Sequence, residues 1–408
     1  MQAVRRTGGR AVGVLEAVRR SGGRAVGVLE AVRRSGGRAV GTIVLAAVLV
    51  TASPPDRLAA QDSQFGIRGL GMPGRFESVR ARSVGGALAP FDGMSPLAEA
   101  ALGDLGRLTA TAMGGTSYRD AELGSTTTSL RTTRFPLLGF AEPVFRRLTL
   151  SVSYSTYLDK SWNVTIRDSM LLRGTMQPYA DELSSDGGVD DLRIAAGSRV
   201  SSHLALGAAV HLLSGSTRLT AIRRFDPVGA DSVYQPVSQR DEVRYTGLGF
   251  SGSALIDFGP GLRLAAFARS DNRLRAWVGD VLAAETDLPI TLGGGIRIAP
   301  SPSARLAASI SRRGWAKAVA GSFNTLSWSA GAELGGGPTP IRFGVRGGQL
   351  PFGPGTSAPT EVGVAAGTGR AFSAGRAVLD IGIERLQRKG GGLDERVWTF
   401  LVGLTVRP

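Results

Sequence analysis

From Leu148 to Tyr154 apolar and polar residues alternate without a break, and this period of two recurs along most of the chain. Leu248, Phe250, Ala254, Ile256 and Phe258 share one face, with Ser251, Ser253 and Asp257 on the other. Leu326, Trp328, Ala330, Ala332 and Leu334 oppose Ser327, Ser329 and Glu333. Leu379, Ile381 and Ile383 oppose Asp380 and Glu384, and Trp398, Phe400, Val402, Leu404 and Val406 form the last apolar face. Successive side chains of a strand point to opposite faces, so alternation of this kind predicts half-exposed strands. Gly259-Pro260-Gly261, Ser270-Asp271-Asn272, Pro300-Ser301-Pro302 and Gly335-Gly336-Gly337-Pro338 separate the runs as turns. From about residue 106 to the end the runs amount to about 14 strands of about 9–12 residues, the length that crosses a bilayer at a tilt.

Such strands suit a soluble sandwich with its apolar faces inside, or a transmembrane barrel with those faces turned to lipid. The second face decides between them. It carries Arg, Asp, Glu, Ser, Thr and Gly and few bulky apolar residues, which is a lumen and not a core. The fold expected is all-β: an antiparallel transmembrane β-barrel of about 14 strands behind an N-terminal hatch. An exported soluble β-protein is the competing reading.

The N-terminal region agrees with export. Nine arginines precede an apolar run from Gly41 to Ala52, followed by small residues to Ala60. A basic region, a short apolar run and a small-residue exit describe a secretory signal, and the run is too short for a spanning helix. Residues 1–61 are therefore read as leader, with the mature chain starting between Ser53 and Asp62. Within the leader, Ala3–Glu16 is repeated almost unchanged as Ala17–Glu30, in units too short and Gly-rich to bury a core. The formal charge of the whole chain is +15, and its first 61 residues hold ten arginines and three acids. The remainder is only modestly basic and does not point to nucleic acid. There is no cysteine, which removes disulfides and thiolate metal sites.

Residues 81–103, ARSVGGALAPFDGMSPLAEAALG, resemble the N-terminal segment of FadL-type outer-membrane transporters and of the related PorV proteins. Arg82, Gly85, Gly86, Ala87 and Asp92 match that segment. Ala98-Glu99-Ala100 stands where the family has Asn-Pro-Ala. The resemblance implies that residues 62–105 form a hatch inside a barrel of residues 106–408, in the bacterial outer membrane. It also implies passive passage of small hydrophobic, fatty-acid-like molecules. A PorV-like, secretion-associated scaffold that holds a secreted protein partner is the alternative. Outer-membrane lipid is the remaining partner expected.

No catalytic constellation, cofactor or metal site is expected. Gly69-Leu70-Gly71-Met72-Pro73-Gly74 has dinucleotide-site spacing but no βαβ context, and reads as a hatch turn. Asp181, Glu182, Asp186, Asp190 and Asp191 read as a solvated acidic loop, without the spacing of a calcium-binding loop. His203 and His211 lie too far apart along one strand to share a metal. Arg297, Arg342 and Arg346 fall on polar strand faces, where they either attract an anion such as a fatty-acid carboxylate or pair with wall acids.

Overall fold

The computed structural model describes residues 63–408 apart from 68, 124–125, 228–233 and 260. The expected leader and its repeats lie outside the described residues. Eighteen strands join in one antiparallel sheet, and fourteen of them close into a barrel. In chain order these are β1 (Thr109–Leu123), β2 (Thr126–Phe145), β3 (Leu148–Asp159), β4 (Thr175–Arg199), β5 (Leu204–Phe225), β6 (Val237–Asp257) and β7 (Leu262–Asp271). The second half comprises β8 (Thr291–Ser301), β9 (Ala304–Arg313), β10 (Thr325–Leu334), β11 (Ile341–Gln349), β12 (Thr360–Phe372), β13 (Ala377–Gly390) and β14 (Leu393–Val406). Closure is made by β14 against β1, from Leu393↔Leu123 to Val406↔Ala110. A closed wall leaves no edge, which hydrocarbon does not tolerate.

The faces are those of a bilayer-spanning barrel. In β3, Thr149, Ser151, Ser153 and Ser155 point inward and are buried, while Leu150, Val152 and Tyr154 point outward and are exposed. A soluble barrel would reverse that assignment. Val152 lies mid-strand between its partners Phe140 and Ile194. Arginine near the bilayer midplane of such a wall costs about 2–4 kcal/mol. Val152→Arg is therefore expected to lower the free energy of unfolding, read from urea titration in lipid vesicles, by that amount. Equal stability of the variant would contradict an outward-facing lipid band.

One end of the barrel has short turns, such as Phe145 to Leu148 and Ser301 to Ala304, and both ends of the wall, Thr109 and Val406. At the other end the wall rises. β4, β5 and β6 run 25, 22 and 21 residues, about twice what a bilayer needs. Trp162–Leu172 pairs with β4 above the barrel, and the hairpin of Arg273–Val278 and Val281–Asp287 pairs with β6. β3 and β7 to β11 keep the expected 9–12 residues, whereas the other eight wall strands are longer. The acidic residues 181–191 also form no loop: they lie within β4. Opposing arginines explain the difference, since Asp181 pairs with Arg223 at 2.7 Å and Glu182 with Arg224 at 3.1 Å on β5.

Candidate functional site: a hatch held in the barrel lumen

Residues 63–108 precede the wall and fill its interior. Their start is pinned by Ser63 Oγ and the Gln64 amide, which donate to the two carboxylate oxygens of Glu395 at 2.7 Å each. Met72 and Pro73 add a short antiparallel rung to Asp159 and Leu158 of β3. A short helix, α1 (Val79–Ser83), follows, capped by Ser78 Oγ, which accepts from the Ala81 amide at 3.2 Å. Ser78 Oγ in turn donates to Asp92, whose other oxygen accepts from the Met94 amide at 3.1 Å. Asp92 thus ties the two halves of the hatch together. Glu99–Asp104 forms a 3-10 helix.

Arg82 anchors α1 to the wall. Its guanidinium grips both oxygens of Glu384 on β13, with Nε 3.1 Å from Oε1, and Arg75 Nη1 reaches the same carboxylate at 2.9 Å. Arg80 forms a second bidentate pair, with Glu333 on β10, at 2.7 Å for each bond. Glu77 lies among these cations. Burial raises its pKa, but the guanidiniums of Arg75, Arg346 and Arg82 outweigh that and hold the carboxyl below its usual range.

Glycine makes the close approach possible. Gly85 and Gly86 turn the chain at φ +72° and +100°, conformations that disfavour a side chain, and Ala87 behind them is fully buried. On the wall, a Cβ at Gly344 would lie 2.1 Å from the Val84 carbonyl carbon, and one at Gly207 would lie 2.3 Å from the Glu99 carbonyl carbon. Gly197, Gly207, Gly331 and Gly344 of the wall give clearance to the hatch backbone.

A buried polar chain holds the other side. Asp191 on β4 lies 2.8 Å from Nδ1 of His211 on β5, and His211 Nε2 lies 2.7 Å from Ser251 Oγ on β6. Ser251 Oγ donates to Glu99 of the hatch at 2.6 Å. Arg269 binds Asp191 at 2.7 Å, and fully buried Arg193 lies 3.8 Å from Glu99. Acid, imidazole and hydroxyl in this order are the parts of a nucleophilic triad. Here Glu99 occupies the side of the hydroxyl where a substrate carbonyl would have to stand, so the arrangement works as a latch. His203 is exposed and takes no part.

The three lumen arginines have different surroundings. Arg342 pairs with Glu333 at 2.8 Å and with Asp380 at 2.6 Å, and Arg346 pairs with Glu361 at 2.6 Å. Arg297 lies over the Phe91 ring of the hatch, 5.6 Å from its centroid. Three cavities of about 100, 110 and 220 Å³ separate hatch and wall. The first is lined by Arg75, Arg82, Arg119, Arg134 and Arg388 with Asp159. Arg75 Nε lies 3.6 Å from Glu77 Oε2, and its Nη2 has no hydrogen-bond partner, so a carboxylate or water suits the place beside Nη2. These cavities mix charged and apolar lining and are small enough to hold a headgroup at most, whereas pockets that enclose a whole small ligand run to about 300–1,000 Å³. The apolar surface lies higher, where Leu158, Leu213, Leu274, Leu288, Trp315 and Phe352 pack as a ceiling at the long-loop end.

The wall is incompletely laced beside the first cavity. β2 pairs with β3 only from Leu137↔Ser155 down to Phe145↔Leu148. Beyond Ser155 the two strands part, and the Met72–Pro73 rung takes up the freed edge of β3. Arg134 of β2 reaches across to Asp159 of β3 at 2.5 Å and closes the parting.

No protein-family model matches the chain, and no curated protein matches it in sequence. Solved structures do match. A FadL homologue of Pseudomonas aeruginosa superposes with a TM-score of 0.59 at 12% identity, over 83% of this chain and 99% of the other. This chain has a FadL-like fold. The toluene transporter TodX of Pseudomonas putida matches the FadL-like barrel at TM-score 0.56 and 13% identity, over 83% of this chain and 99% of its own. The monoaromatic hydrocarbon channel CymD matches it at 0.52 and 15%, over 83% and 98%.

Proposed function

We propose that this chain is a bacterial outer-membrane barrel for the passive passage of small hydrophobic molecules of fatty-acid type. The observation that carries the reading is a polar-anchored hatch inside a closed lipid-facing barrel, beside a parting between β2 and β3. The FadL homologue, the toluene transporter and the hydrocarbon channel superpose on this fold, and two of them are named for hydrophobic cargo. The buried apolar ceiling around Trp315 and Phe352 closes the long-loop end above the cavities. The arginines of the first cavity suit the carboxylate of such a solute, and the parting offers a way sideways into lipid once the Arg134–Asp159 bridge across it opens. In the resting arrangement the hatch closes the route, so passage requires it to shift. A leader cleaved before Asp62 and a hatch of residues 62–105 belong to the same proposal.

The reading is tested by extracting lipids from the full-length protein purified in detergent. Fatty acid retained in stoichiometric amount, and reduced at least about tenfold in Arg75→Ala, is expected, since a charged hydrogen bond contributes about 1.5–3 kcal/mol. Protein that carries no fatty acid and admits none to liposomes would refute passage. A scaffold role has one supporting observation: the raised hairpins expose Leu171, Met176, Val237 and Val281. It predicts capture of a defined secreted protein by a barrel that conducts nothing.

A further inference from the structure

We propose that a cavity on the outer face of the wall, lined by Arg273, Arg312 and Lys317 together with Ile290 and Leu292, binds a phosphorylated, acylated glycolipid of the outer leaflet. The proposal rests on the outer-membrane reading above and adds a specific lipid site to it.

The cavity measures about 650 Å³ and is separate from the three beneath it. Its position follows from strand register. Leu292 of β8, Arg312 of β9 and Leu326 of β10 are direct cross-strand partners and therefore share a face. That face is the outer one, because Leu292 and Leu326 are exposed. One outward rung below, Ile310 pairs with Trp328, whose indole covers Gly347. Tryptophan on a barrel exterior marks the boundary between hydrocarbon and headgroups. Arg312 therefore stands at headgroup level, at the long-loop end, which faces outward in barrels of this kind.

The charges are arranged for an anion. Arg312 and Lys317 have no carboxylate partner among the described residues. Arg273 is held by Asp287 at 3.1 Å and Glu285 at 3.4 Å, which fixes its direction. Asp271, also at the rim, is committed inward to Arg269 at 2.8 Å and to the Tyr157 hydroxyl at 2.9 Å. Lys317 comes from the one-turn helix Trp315–Ala318, held by fully buried Trp315. Basic groups beside exposed Ile290 and Leu292 match a phosphate lying against the upper ends of acyl chains. A solute bound for the lumen has no use for cations on the lipid side of the wall.

The test is native mass spectrometry of full-length protein in non-ionic detergent with added diphosphorylated lipid A. Wild type is expected to retain it, and R312E/K317E to retain at least about tenfold less, given about 1 kcal/mol per basic residue at an anionic surface. Dephosphorylated lipid A is expected to bind as weakly to wild type as the intact lipid does to the variant. Unchanged retention by the variant overturns the site. So does equal retention of phosphatidylglycerol, which would mean generic attraction to anionic lipid. Displacement by inorganic phosphate alone would make it a simple anion site and also overturns it. Heat-modifiable gel migration of the same samples reports the barrel separately: wild type without it fails the membrane reading, whereas an intact barrel without lipid fails only this proposal. Should R312E/K317E lose that migration, R312Q/K317Q carries the same comparison.

Discussion

Glu384→Ala is expected to release the hatch while leaving the barrel standing. Glu384 is almost wholly buried and receives the bidentate grip of Arg82 and a third bond from Arg75. Its removal leaves two enclosed guanidiniums without their shared carboxylate, and breaking a buried pair in this way costs about 3–5 kcal/mol. The loss falls on the hatch, because β13 is laced to β12 and β14 by main-chain bonds along its whole length. Arg75, Arg80 and Arg82 are themselves trypsin sites inside the hatch. Limited trypsinolysis of the variant in detergent is therefore expected to cut within residues 75–82 at least tenfold faster than in wild type, with unchanged heat-modifiable migration. Equal protection of the two proteins would show that the Arg82–Glu384 contact does not hold the hatch.

Gly344→Ala should have a comparable effect by a different route. The added methyl would lie 2.1 Å from the Val84 carbonyl carbon and 2.4 Å from its oxygen, against backbone that ends α1. No rotamer relieves such a clash, so either wall or hatch must move, at a cost of about 1–3 kcal/mol or more. Gly252 supplies the control: on the same kind of strand, its added Cβ would meet nothing closer than 3.6 Å. G344A is expected to expose the hatch to trypsin and G252A to leave it protected. Similar behaviour of the two variants would mean that strand propensity, and not hatch clearance, explains glycine in this wall.

The wall was legible in the sequence because a strand with one face in lipid and one in a polar lumen has to alternate. Leu148 to Tyr154 displays that rule directly. The hatch was legible as a motif, and Arg82, Gly85, Gly86, Ala87 and Asp92 all fall in it. What the motif residues touch was not. Glu384 lies 302 positions from Arg82, and nothing local marks it as a partner. Asp191, His211 and Ser251 meet only because β4, β5 and β6 are neighbours in register. The acids of residues 181–191 looked like a loop because Gly187, Gly188 and the serines mask the alternation. Their partners Arg223 and Arg224 come from the next strand. The hairpin of Arg273–Asp287 was missed for a related reason. Ser270-Asp271-Asn272 was read as a simple turn between wall strands, whereas the chain there turns off to pair with β6.

The central claim, that passage depends on movement of the hatch, is tested most directly by locking it. The chain has no cysteine, so an engineered pair stands alone. A Cβ at Gly403 of β14 would lie 3.2 Å from the Val79 Cβ of α1, close to the separation a disulfide spans. Fatty-acid uptake into liposomes containing V79C/G403C is the measurement. Reduced protein should conduct like wild type, and oxidised protein should fall to the rate of empty liposomes and recover on reduction. Undiminished uptake by the fully oxidised barrel would contradict the account.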